Sequence, residues 1–196
     1  MNFEDVSDPL VAVDQFRRRA EDAGLALPEA MVLATVDAAG SPHARVVLYK
    51  GRTGRTIEFY TNYHSNKAQE LSHRPEAEVC IHYPSLALQV RLHGPVQRLD
   101  VARSDQYFST RPRESQIGAW ASQQSQPLAQ REQLDQAVAE VQARFDGQVV
   151  PRPPHWGGYG LLVDSVELWI GQAGRLHDRA CYRFVDQAWR CERLFP

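Results

Sequence analysis

The chain has 196 residues, 43% hydrophobic and 23% charged, with a formal net charge of −2. Those proportions exclude a disordered chain, no apolar run reaches the roughly 18 residues of a membrane-crossing helix, and near-neutral charge argues against non-specific nucleic-acid binding. Cys80, Cys181 and Cys191 form no CxxC pair and no His spacing fits a metal, so neither a disulfide framework nor a metal site is expected.

The acidic start MNFEDVSDPL lacks a secretory pattern, and a cytoplasmic location is expected. Asp8-Pro9 opens a helix within an N-terminal segment 1–25: a capping acid, then proline where its missing N–H costs nothing. Leu10, Val13, Phe16 and Ala20 mark its apolar face, with Arg17, Arg18 and Arg19 read as solvated charge. Strands follow over 30–37, 43–50 and 57–61, separated by AAGSP and GRTGRT turns. Ser65 can cap a short helix that ends before Pro75, and strands over 76–83 and 86–99 come next, the second bent at Gly94-Pro95. A helical insert over 100–146 breaks at Pro112 and ends at Asp146-Gly147. VVPRPPHWGG reads as a stiff connection, and the C-terminal part, 158–196, returns to strands at 159–163, 166–171, 181–185 and 188–194. The pattern predicts one α+β domain over 1–196, an antiparallel barrel or sandwich with helices at its edge.

Four polar clusters stand out. RVVLYK puts Arg45 and Lys50 at the two ends of an apolar strand, where charges reach the sheet ends or meet an anion. Lys50 and Lys67 are the only lysines among 22 basic residues, and an ammonium is not interchangeable with a guanidinium at a ligand site. FYTNYHSNKA brings Thr61, Ser65 and Lys67 to a helix start, a natural anion seat. Tyr107 and Arg111 are one helical turn apart, with Ser115 just beyond Pro112, a donor set suited to a phosphate monoester. In RLHDR, Arg175, His177 and Arg179 share one face if the segment is extended. No glycine-rich nucleotide loop is present, so side chains must hold any cofactor phosphate.

RVVLYK, FYTN with SNKA, YFSTRPRESQIGAWASQQS, WGG and RLHDR with a terminal RLFP together resemble the pyridoxamine 5'-phosphate oxidase family, from about Asp8 to Pro196. The resemblance implies an FMN-binding split β-barrel, antiparallel and Greek-key-like with peripheral helices. It also implies a homodimer with FMN in the interface and oxidation of pyridoxamine or pyridoxine 5'-phosphate by dioxygen. Carried over by motif, Arg45, Lys67, Tyr60 and Thr61 lie at the FMN phosphate. Val46, Val47, Leu48, Lys50, Asn66, Gln89, Gln124, Ser125, Trp169 and Arg179 make further cofactor contacts, some across the dimer. The substrate phosphate falls to Lys50, Tyr107, Arg111 and Ser115; Arg175, Leu176 and His177 meet the substrate ring, with Arg175 and His177 as the catalytic pair.

Four departures accompany the resemblance. Asn66, Leu88 and Gly160 stand where the family often has arginine, and an N-terminal covering arm is lacking. Weaker FMN retention and a more open substrate site are expected, each lost charge-assisted bond being worth about 1.5–3 kcal/mol. Two other readings are weighed: a flavin oxidase of the same fold with a phenazine-type substrate, and a non-catalytic FMN or pyridoxal-phosphate carrier.

Overall fold

The computed structural model describes residues 3–196. Helix α1 (Pro9–Asp22) starts as its sequence dictates: the Asp8 carboxylate accepts from the Leu10 N–H at 3.0 Å, and Leu10, Val13, Phe16 and Ala20 are buried. Strands β1 (Ala30–Val36) and β2 (Pro42–Leu48) form a hairpin with Ala30 opposite Leu48. The GRTGRT turn holds a two-residue strand, β3 (Arg52–Thr53), paired with β4 (Thr56–Asn62). Helix α2 (Asn66–His73) leads to β5 (Glu76–Tyr83) and β6 (Leu88–Arg98). The helical insert is α3 (Val101–Ser109), α4 (Arg113–Ala121) and α5 (Arg131–Arg144). Strands β7 (Trp156–Leu162), β8 (Ser165–Ile170), β9 (Asp178–Val185) and β10 (Ala188–Leu194) close the chain. Of these, β7 and β9 each begin three residues earlier than the pattern predicts, because Trp156 and Asp178 already pair with neighbouring strands.

All ladders are antiparallel, in the order β10-β9-β8-β6-β5-β1-β2, with β6 also pairing β7 and β7 pairing β4. Between β2 and β4 the contact is a seam: the Lys50 N–H donates to the Glu58 carbonyl, and the Glu58 N–H to the Gly51 carbonyl, both at 2.9 Å. The strands thus curl into a barrel that stays open along one side, the split barrel expected. Strand β6 makes the corner. Its outer neighbour is β8 through His93 and β7 from Val96, and the exchange falls at Gly94-Pro95. A Cβ at Gly94 would overlap the Leu162 carbonyl oxygen, so only glycine lets the strands cross here.

Leu33, Ile57, Phe59, Val79, Leu92 and Leu161 are wholly buried inside the barrel. A second cluster of Phe108, Ile117, Phe145, Val150 and Trp156 sits under the insert. Leu128 lies ahead of α5 and is exposed. Among the described residues no helix is long and apolar enough to cross a membrane.

Gly94→Ala should lower stability by about 1–3 kcal/mol through overpacking at the corner. Gly118→Ala in α4, where nothing lies within 4 Å, should instead gain about 0.5–1 kcal/mol. Urea unfolding of the two variants checks the contrast.

Candidate active site

A cleft of about 250 Å³ opens beside the β2–β4 seam and collects Lys50, Tyr107, Arg111, Lys67, Thr61 and Tyr60. Val46, Val47, Leu48, Gln124 and Trp156 complete its walls. An adjoining hollow of about 230 Å³ holds Ser115 and shares Arg111, Gln124 and Trp156 with it. Fold and sequence combine simply here. The seam bonds fix the Lys50 backbone; α3 ends at Ser109, and Arg111 lies in the turn just beyond it, where its N–H donates to the Phe108 carbonyl at 3.2 Å.

The electrostatics of the cleft suit an anion. The Arg111 guanidinium lies 4.4 Å from the Trp156 ring centroid, and its Nη1 is buried without a hydrogen-bond partner. Burial pulls its pKa below the usual guanidinium value, opposed only by Tyr107. Lys50 Nζ has Glu29 Oε1 at 3.7 Å as its carboxylate neighbour. An orphaned buried donor costs about 1–3 kcal/mol, and a ligand oxygen would remove that cost.

Lys67, 8% exposed, places Nζ 3.0 Å from Gln124 Oε1 and 3.2 Å from Thr61 Oγ1. Burial, and then the charge of nearby Arg45, push the ammonium down to about 8, against the pull of Glu70. Arg45 is itself fastened, with Nη2 2.8 Å from Glu70 Oε2 and Nη1 on the Thr35 hydroxyl. Burial works to raise Glu70, but hydrogen bonds from Thr35, His43 and Arg45 outweigh it and hold the carboxyl below the ordinary range. Ser65 occupies the cap position of α2, yet its hydroxyl donates to the Asn62 carbonyl at 2.7 Å instead of capping the helix. The Asn66 N–H donates to Ser125 Oγ at 3.3 Å, which brings those two predicted residues together.

The remaining predicted residues gather elsewhere. Gln89, Trp169 and Arg179 stand in register across β6, β8 and β9. The Trp169 and His177 rings lie 4.6 Å apart, and Arg179 Nε donates to Glu167 at 2.9 Å. The RLHDR segment is not extended: Ala173–Arg175 is a tight turn with Arg175 at φ 61°, so Arg175, His177 and Arg179 do not share a strand face. Only Arg179 belongs to β9, while Arg175 and Leu176 are exposed. Counted along the sheet, β8 lies four strands from β2, roughly 19 Å at strand spacing.

Trp156, Glu29, Glu70 and Thr35 were not legible as site residues. The Pro-rich run before Trp156 masked the start of β7, and a lone carboxylate carries no motif. Leu88 is also corrected: it is 1% exposed, packed in the barrel core and alternating with Gln89, so its side chain is no vacancy at a flavin. At Gly160 a Cβ would press on the Thr56 methyl.

Comparison with known proteins follows the same lines. A family model described as pyridoxamine 5'-phosphate oxidase matches residues 18–145, and one described as the pyridoxine 5'-phosphate oxidase C-terminal dimerisation region matches residues 156–196. The pyridoxine/pyridoxamine 5'-phosphate oxidase of Myxococcus xanthus (strain DK1622) is 47% identical over 189 residues, covering 96% of this chain and 92% of that one. The oxidase of the same description from Acaryochloris marina is 44% identical over 190 residues, covering 97% of this chain and 87% of that one. Among solved structures, PhzG from Burkholderia lata 383, in complex with tetrahydrophenazine-1-carboxylic acid, superposes with a TM-score of 0.92 at 28% identity, over 98% of this chain and 94% of that one. A pyridoxamine 5'-phosphate oxidase-related, FMN-binding protein from Nostoc punctiforme PCC 73102 has the same fold, with a TM-score of 0.75 at 19% identity over 94% of this chain and 96% of that one. With matched models over both halves and relatives this similar along nearly the whole length, the chain belongs to the pyridoxamine 5'-phosphate oxidase family.

Proposed function

We propose that this protein is an FMN-dependent oxidase that converts pyridoxamine 5'-phosphate or pyridoxine 5'-phosphate to pyridoxal 5'-phosphate. The observation that carries the reading is the meeting of Lys50, Tyr107 and Arg111 in one cleft, with an Arg111 donor buried and unpartnered. These groups, with Ser115, grip the substrate phosphate: two cations and two hydroxyls match its charge and its oxygens. Lys67, Arg45 and Thr61 hold the phosphate of FMN, and the donor set fits, because two neighbouring cations there have the single carboxylate Glu70 between them. When bound, FMN supplies the acceptor for two electrons from the substrate's C4' carbon, and dioxygen regenerates it with release of hydrogen peroxide.

The rest falls to the protein. Arg175 orients the substrate ring and stabilises charge that develops on it, and His177, set against Trp169, orders the polar groups beside it. A substrate whose phosphate sits on Lys50 and whose ring meets Arg175 spans far less than four strands. In this reading one chain supplies the phosphate grip and a second copy the RLHDR residues, with FMN between them in a homodimer. The matched C-terminal dimerisation region supports this arrangement.

The likeness to PhzG gives a phenazine-type substrate some support. It is weaker than 44–47% identity to the pyridoxine/pyridoxamine 5'-phosphate oxidases. A carrier without turnover is distinguished by kinetics alone. Purified protein should release hydrogen peroxide steadily with pyridoxamine 5'-phosphate, and Arg175→Leu should depress kcat far more than it loosens FMN. Equal losses would mean that Arg175 serves the cofactor instead.

A pH dependence follows from Lys67. With its ammonium at about 8 in the free protein, the protonated fraction falls roughly tenfold between pH 7 and pH 9, and affinity for an anion falls with it. FMN binding, followed by flavin fluorescence, should weaken about tenfold across that interval, while riboflavin, which has no phosphate, should not. Lys67→Met should flatten the FMN curve.

A further inference from the structure

We propose that Glu58, with Arg103, is a positioning residue for the substrate cleft: it fixes the Tyr60 ring on which Tyr107 stacks, and so sets where the Tyr107 hydroxyl meets the substrate phosphate. The inference rests on the assignment of Tyr107 to that phosphate. Glu58 is 3% exposed in the middle of β4, alternating with the core residues Ile57 and Phe59. A carboxylate this deep must be paired, and Arg103 from α3 pairs it twice, Nε at 3.0 Å and Nη2 at 2.9 Å from Oε2.

An ion pair alone would explain a staple between α3 and the barrel. Glu58 does more, because the same Oε2 accepts from the Tyr60 hydroxyl at 3.1 Å. Burial first, and then the Glu58 charge, hold the Tyr60 phenol above its ordinary value, so it remains a donor. The ring is confined along its length as well. Gly158 lies opposite Tyr60 in the β4–β7 ladder, and a Cβ there would press on the ring, so the bare glycine backbone lets the ring lie across β7. On the other side Tyr107 stacks at 3.9 Å between centroids, nearly parallel at 22°. Tyr107 lines the cleft, and its ring also lies 6.2 Å from that of Trp156, nearly parallel to it. Its place is set by the stack, and the stack by Glu58.

The test uses the FMN-loaded enzyme at saturating flavin. Glu58→Gln, which keeps the shape but removes the charge, and Tyr60→Phe, which keeps the ion pair but removes the donor, should each raise KM for pyridoxamine 5'-phosphate about 5- to 10-fold. In both, kcat should change less than twofold, and the double variant should be no worse than either single one. Near-ultraviolet circular dichroism, which needs no substrate, should show an altered signal from the Tyr60–Tyr107–Trp156 stack. A lower melting temperature with unchanged KM and unchanged dichroism would reduce Glu58 to a structural staple and overturn the proposal. Should Glu58→Gln fail to fold, Tyr60→Phe decides alone. A wild-type enzyme inactive on pyridoxamine 5'-phosphate would sink the functional assignment, while the dichroism would still report on the stack.

Discussion

Positive charge withdrawn from water, and left short of negative partners, governs this molecule. Lys67 is buried beside Arg45 with Glu70 as their shared carboxylate, and half-buried Arg111 has one buried nitrogen unmatched. Removing a cation from water without a counter-charge is among the costlier things a fold can do. Such an arrangement is stable enough to keep only where the structure around it is rigid and a ligand repays the cost. Under the proposed function these cations form two anion seats, one on Lys67 and Arg45 and one on Lys50 and Arg111.

The barrel supplies the rigidity through a few local devices. The corner at Gly94 lets β6 pass from one neighbour to the next, which brings β7 and then β4 round to meet β2. The seam at Lys50 and Glu58 leaves the barrel open on the side where the cleft forms. Gly158 makes room for Tyr60, whose ring carries Tyr107. Helix α3 then delivers Tyr107, and the turn that follows it delivers Arg111. Local backbone requirements thus determine which side chains share the cleft.

Much of this was legible in the sequence, and for identifiable reasons. The cap at Asp8, the bend at Gly94-Pro95 and the Tyr107–Arg111 spacing are local rules, and each is found in the structure. The carboxylates that partner the cations were not legible. Glu29 and Glu70 reach the cations from distant segments, and nothing in their neighbouring residues announces it. Arg175 illustrates a different failure. Alternation placed it on an extended face with His177 and Arg179, but the Gly171–Gly174 region folds into a turn that leaves Arg175 at positive φ. Trp156 was hidden by prolines that read as a linker although the strand begins beside them.

The phosphate cleft and the RLHDR segment lie on separate parts of one sheet, and under the proposed function a second copy brings such halves together. The central claim is that phosphate recognition by Lys50, Tyr107 and Arg111 commits the substrate. It is tested most directly by anaerobic titration of the flavin-loaded protein, reading loss of the yellow absorbance, with pyridoxamine 5'-phosphate and with pyridoxamine itself. The account predicts bleaching by the phosphorylated amine at concentrations at least about 100-fold lower than by the free amine. Equal bleaching by the two, or bleaching by neither, would contradict it.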